Sequence, residues 1–172
     1  MRRSESVNAP SRDREGAVTL EAIIGLPILL LVVMAIFEYG TIMVMHHAVM
    51  AAVTEGAREG SNVPTTLGAA DRARILDAVE QSVEDVLVTH GLTVDVASGV
   101  QVVVEDSSGV GSRGQAIGLV PGVTGITDPA EVRVTIRVEF ANARIPNLLG
   151  TFGVDLSAKY FEMSSTSRRD CL

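Results

Sequence analysis

Residues 22–37, "AIIGLPILLLVVMAIF", run for sixteen positions without a formal charge. Taken from Ala17 to Phe37 the segment covers 21 residues. At about 1.5 Å per residue that is roughly 31 Å, the thickness of a bilayer's hydrocarbon core. Tyr39 falls where an aromatic anchor at the membrane–water boundary would sit. Two residues are out of place in a simple span: Glu21 near its start and Pro27 inside it.

The flanks suggest an orientation. The leader, residues 1–16, is polar and carries Arg2, Arg3, Arg12 and Arg14, whereas only Arg58 follows within some twenty residues of the span's end. The positive-inside rule then keeps the N-terminus in the cytoplasm and exports the bulk of the chain. The leader has nothing from which to build a core, so it is expected to be disordered.

Apolar character does not stop at Glu38. Ile42, Met45, Val49, Ala52 and Val53 continue at helical spacing up to a break at Gly60-Ser61-Asn62-Val63-Pro64. A single helix over 17–60 would be about 66 Å long, about twice what a bilayer needs, so its second half must pack on something outside the membrane. A second helix follows, with Ile75, Leu76, Val79, Val83, Val86 and Leu87 on one stripe. Thr65 or Thr66 can cap its start and Gly91 can end it.

Strands are expected over 93–96, 100–105, 131–140 and 154–163. The third alternates strictly, with Val132, Val134, Ile136, Val138 and Phe140 on one face and Arg133, Thr135, Arg137 and Glu139 on the other. In the fourth the alternation runs through Val154, Leu156, Ala158 and Tyr160. The Gly-, Ser- and Pro-rich stretch 106–129 reads as a long exposed loop. The fold class is therefore α+β: a long N-terminal transmembrane helix plus a small exported domain, 61–172, with one amphipathic helix and a three- to four-stranded antiparallel sheet. Residues 62–172 alone are expected to be folded but weakened.

Several functions find no support in the residues. The net charge of −7 opposes non-specific nucleic-acid binding, which needs cationic surface. With no Trp and 3% aromatic residues, stacking platforms are scarce. Gly109, Gly111 and Gly114 spell G-x-G-x-x-G, but "QAIGLVPGVTG" after them cannot open the helix a dinucleotide site requires. His46 and His47 are adjacent, about 100° apart on a helix, and cannot share a metal. No nucleophile frame appears. Cys171 is the only cysteine, so no disulfide can form within the chain. No enzyme, cofactor, metal or small-molecule substrate is expected.

What remains is the order charged leader, Gly16, "AVTL", Glu21, long apolar helix, and this resembles the type IV prepilin signature. The closer resemblance is to the TadE-like group, minor pilins (pseudopilins) of the tight-adherence (Tad) pilus. Gly16, Glu21, Pro27, "LLLVV" and Glu38-Tyr39-Gly40 fall in register with that group's pattern, and "EGAREGS" (55–61) is similar to the stretch these proteins carry after the span. Ala17 in place of the Phe of many classical pilins, Ala22 where the major Tad pilin has Tyr, and the size of 62–172 point to a minor component. The resemblance implies cleavage after Gly16 by a prepilin peptidase, leaving Ala17 as the new N-terminus. It implies as partners other pilin-like subunits, the peptidase, the pilus assembly platform and the lipid bilayer. It places the chain in the bacterial inner membrane or in a pilus. Within that frame Glu21 is expected to pair with the freed amine of a neighbouring subunit and set register. Pro27 is expected to kink the helix or unwind it near Ile23-Ile24. The alternative is an uncleaved, signal-anchored binding or adhesion module.

Overall fold

A computed structural model describes residues 12–64, 69–92, 99–118, 125–141, 147–157 and 159–169. Among them are two helices, α1 (Arg12–Asn62) and α2 (Ala69–Thr89), and four strands: β1 (Val100–Asp106), β2 (Gly109–Gly114), β3 (Glu131–Glu139) and β4 (Tyr160–Arg168). A short 3-10 turn, Leu149–Phe152, lies between β3 and β4. The strands form one sheet in the order β2-β1-β3-β4, antiparallel throughout. The fold class is α+β, as the residue pattern indicates.

The helix α1 is 51 residues long, about 76 Å. It begins at Arg12, so helical geometry extends into the leader, and it continues without interruption through Ile23, Ile24 and Pro27 to the break before Pro64. Local unwinding at Ile23-Ile24 is therefore not observed. The Ile23 carbonyl simply lacks the N–H that Pro27 cannot supply.

The two halves of α1 live in different surroundings. Val18 to Val33 are all exposed, on every side of the helix. Burial then begins on one stripe, with Met34 and Ala35 half-covered and Glu38 fully covered. It continues through Met45, Ala48, Val49, Ala52, Val53 and Ala57. This second half packs on α2 and across β3 and β4, while α2 covers β1 and β2. Ile75, Leu76, Val79, Val83 and Leu87 of α2 meet Val100, Val102, Val104, Val132, Val134, Ile136 and Val138 of the sheet in one core. Gly91 ends α2 with φ 75°. Its N–H reaches the Val88 carbonyl, and that of Leu92 the Leu87 carbonyl, the left-handed cap expected of a glycine there.

Close approach of α1 depends on two glycines of "EGAREGS". A Cβ on Gly56 would stand 3.1 Å from Val83 Cγ2, and one on Gly60 would stand 3.0 Å from Val79 Cγ2. In the same stretch Glu55 and Arg58 are on the outer face, ion-paired with each other (Arg58 Nε to Glu55 Oε2, 2.9 Å).

Three expectations need correction. The stretch 106–129 is not loop throughout: β2 lies within it, closing a hairpin with β1 across Ser107-Ser108. Its glycines remove the β-branched signal but suit the place. A Cβ on Gly111 would meet Leu76 Cδ1 of α2 at 2.7 Å. The last strand is Tyr160–Arg168, not 154–163, and its inner face carries the opposite parity: Phe161 and Met163 pack on the core, while Val154 and Tyr160 are exposed. Farther along the same face come Ser165 and Ser167. These are small residues where α1 crosses, and Ser167 Oγ donates to Ser61 Oγ at 3.0 Å. The polar face of β3 is also drier than alternation suggests. Thr135 and Arg137 are buried, because long side chains on the outer face cover one another. Arg137 donates to Glu162 Oε2 (2.7 Å) and Gln101 Oε1 (3.2 Å), and Arg133 to Glu105 Oε2 (3.3 Å). The expected strand 93–96, the helix caps Thr65 and Thr66, and Cys171 lie outside the described residues.

One charged cluster ties the chain's far end to this frame. Asp106 Oδ1 accepts from Ser108 N–H (2.8 Å), Ser108 Oγ (2.6 Å) and Gly109 N–H (3.1 Å), and so fixes the β1–β2 turn. Its other oxygen faces Arg169 Nη2 at 3.7 Å, and both side chains are almost wholly buried. Removing one partner of a buried pair strands the other charge. Asp106→Ala is therefore expected to destabilise the domain by about 3 kcal/mol in urea denaturation. A midpoint that does not move would mean that Arg169 finds water or another acceptor.

Candidate functional site

The residues singled out in the sequence do not converge on a pocket. Gly16, Ala17, Glu21 and Pro27 all lie on the first three turns and a half of the bare part of α1. Gly16 is exposed, and a Cβ there would meet nothing within 4 Å. Glu21 is exposed one turn further on, about 6 Å along the axis from Ala17. A carboxylate on an otherwise uncharged helix face has two stable surroundings: water at a membrane edge, or a cation on a neighbouring chain. The described part of the chain brings no cation to it. Whatever Glu21 does in an apolar setting, it does with a partner from outside this subunit's folded domain.

The acid that the domain does engage is Glu38. It stands at the far end of the apolar run, about 26 Å from Glu21, and is 1% exposed. Its Oε2 accepts the backbone N–H of Leu149 at 2.9 Å, the first residue of the 3-10 turn. Its Oε1 is buried without a hydrogen-bond partner among the described residues. Neighbouring Tyr39 points outward and Gly40 has open space around it. The sequence marked Glu38-Tyr39-Gly40 only as the end of the span. The missed signal was spacing: Glu38 lies four and seven positions before Ile42 and Met45, on the stripe that the domain covers.

The segment that meets Glu38 is closed at its base. Asn147 Nδ2 donates to Asp155 Oδ1 at 3.0 Å and Ser157 N–H to the same oxygen at 2.9 Å. These bonds, the Ser157 N–H first, hold the Asp155 carboxyl below the usual carboxylate range. Between them Gly153 takes φ 89°, and a Cβ on Gly150 would strike the Asn147 side chain at 2.7 Å. The positive φ at Gly153 favours glycine, whereas at Gly150 a side chain would have to displace that of Asn147.

The sequence motifs weighed for other chemistry have structural roles. Gly109 and Gly111 make room for Arg72 and Leu76 of α2. His46 and His47 meet edge-on with ring centroids 5.8 Å apart, and His46 also rests on Phe161. No group of three His, Cys, Asp or Glu side chains suited to a metal occurs among the described residues.

The fold defines an α+β domain carried on a long, bare apolar N-terminal helix, and the helix fits a single-pass membrane anchor. Residues 16–58 match the family model described as TadE-like protein. The matched stretch begins at Gly16 and ends just after Ala57, so it takes in the whole bare segment, Glu38 and most of the buried stripe. Neither a curated protein nor a solved structure matches the chain.

Proposed function

We propose that this protein is a pseudopilin of a Tad-type pilus or related secretion apparatus, cleaved after Gly16 by a prepilin peptidase and assembled through its N-terminal helix. One observation carries the reading. The family match starts at Gly16, and from there α1 is apolar, uncharged but for Glu21, and uncovered as far as Val33. A helix that is apolar all round needs lipid or other helices, and a pilus subunit meets both in turn.

In this reading residues 1–16 stay in the cytoplasm and residues 61–172 are exported. The partners are other pilin-like subunits, the peptidase and the assembly platform of the inner membrane. Glu21 is a liability of about 2–3 kcal/mol deep in lipid and less near the edge. In an assembly it pairs with the Ala17 amine of a neighbour staggered along the axis. Pro27 leaves a carbonyl that packed neighbours cover.

The deciding experiment is the mass of the protein's N-terminus in cells that hold the peptidase. We expect a mature chain starting at Ala17, and Gly16→Leu should abolish processing while leaving insertion intact, because the scissile bond needs a residue with almost no side chain. A Gly16→Leu protein of mature size, or a wild type that keeps its leader beside an active peptidase, would overturn the reading in favour of an uncleaved surface module. Glu21→Gln supplies a second measurement. It should insert normally but crosslink less to partner pilins, since each neighbour's amine loses its counter-charge at a cost of about 3 kcal/mol. Equal crosslinking with cleavage intact would make Glu21 a bystander.

A further inference from the structure

We infer that the loop Asn147–Val154 is a second membrane contact, which dips into the outer interfacial layer of the bilayer beside the point where α1 emerges. The inference rests on reading α1 as the membrane anchor.

Its height is set by Glu38. The backbone of Leu149 donates to a carboxylate at the end of the apolar run, and the 3-10 turn packs against α1. Burial on α1 starts below that point, at Met34 and Ala35, one turn inside the segment expected to span the bilayer. The rim of the domain therefore sits level with the lipid boundary rather than above it. The strand β4 confirms which rim this is: its start lies beside His46 through Phe161, and its end lies beside Ser61. The described residues 147–157 between β3 and β4 thus hang on the membrane side.

Its chemistry suits that place. "NLLGTFGV" holds no charge over eight positions. Leu148, Phe152 and Val154 are 37%, 58% and 48% exposed, although the sheet and helices beside them offer a core. The loop is closed by the Asn147–Asp155 and Ser157–Asp155 bonds and by the Gly153 N–H to Gly150 and Val154 N–H to Leu149 carbonyl bonds, and in this closed form these side chains face outward. Apolar and aromatic side chains displayed at a bilayer's edge partition into the headgroup and upper acyl region. Phe37 and Tyr39 of α1, both exposed at the same level, continue the patch around the helix. A second contact point fixes the tilt and depth of the domain, which a single helix cannot do by itself.

The test uses the full chain in phosphatidylcholine–phosphatidylglycerol vesicles, with Cys171→Ser to remove the native thiol. An environment-sensitive fluorophore is placed on Phe152→Cys, on Leu148→Cys, on Val32→Cys within the span, and on Val88→Cys, an exposed apolar position on α2. Spin-labelled lipids with shallow and deep labels then quench it. We expect blue-shifted emission at 148 and 152, with shallow quenching several-fold above that at 88 and stronger than deep quenching. The label at 32 should favour the deep quencher. Water-like emission at 148 and 152, with 32 still quenched, would overturn the loop contact and leave the anchor standing. Loss of quenching at 32 as well would sink the membrane reading itself. Protection at 152 that disappears on diluting the protein in lipid would assign the loop to a second subunit instead of the bilayer.

Discussion

A fragment that begins at Asn62 is expected to show no cooperative unfolding transition, whereas one that begins at Glu38 should fold. The sequence alone suggested a weakened but folded exported domain over 62–172, because α2 and the even face of β3 can cover each other. The observed packing assigns the work differently. α1 lies over β3 and β4, and α2 over β1 and β2. Removing α1 would uncover Val132, Val134 and Ile136 together with the α2 residues Val79 and Val83 that touch Gly56 and Gly60. The deletion takes away Met45, Val49 and Val53, each fully buried. At about 1.5–3 kcal/mol per buried side chain, these three alone approach the whole stability of a small domain. Far-UV circular dichroism and urea titration of the two fragments would decide. A sigmoidal transition in the Asn62 fragment would show that α2 and the sheet form a sufficient core by themselves.

The second large effect is expected at Gly60. Gly60→Leu should lower stability by about 3 kcal/mol, toward the upper end for forcing bulk into a packed core. The first added carbon already stands 3.0 Å from Val79 Cγ2 and 3.5 Å from both Ile75 Cγ2 and Val132 Cγ1. α1 would have to lift from α2 and the sheet together. Arg58→Ala, two positions away, should leave the transition almost unmoved, since the Glu55–Arg58 pair is exposed on the outer face. The contrast gives "EGAREGS" a physical meaning. Its glycines let the helices approach, and its charges keep the opposite side in water. If Arg58→Ala proved the more damaging of the two, the stretch would owe its pattern to a partner at that face.

The division between sequence and tertiary structure runs through particular residues. The bare part of α1 could be read directly, because sixteen uncharged positions leave a chain few alternatives in water. The stripe from Met45 to Val53, the stripe of α2, the cap at Gly91 and the inner face of β3 were equally plain, since each follows a local period or a backbone requirement. The resemblance that starts at Gly16 rested on order and spacing, and the family match covers the same stretch. The roles of Gly16, Glu21 and Pro27 are not decided within the folded domain, because none of the three lies where the domain covers α1.

Other features needed the third dimension. β2 was hidden because glycines carry no strand signal. It forms because β1 offers a pairing edge and α2 needs a surface without side chains to lie against. The inner face of β4 was misread because half of it is serine, with Ser167 bonded directly to Ser61 of α1. The pairing of Asp106 with Arg169 joins residues 63 positions apart, and the bond from Leu149 to Glu38 spans 111. No local pattern encodes such distances. A single acid at the end of an apolar run looks like a boundary mark in the sequence. Only the fold brings the 3-10 turn beneath the sheet to meet it, and so sets the height at which the domain sits on its helix.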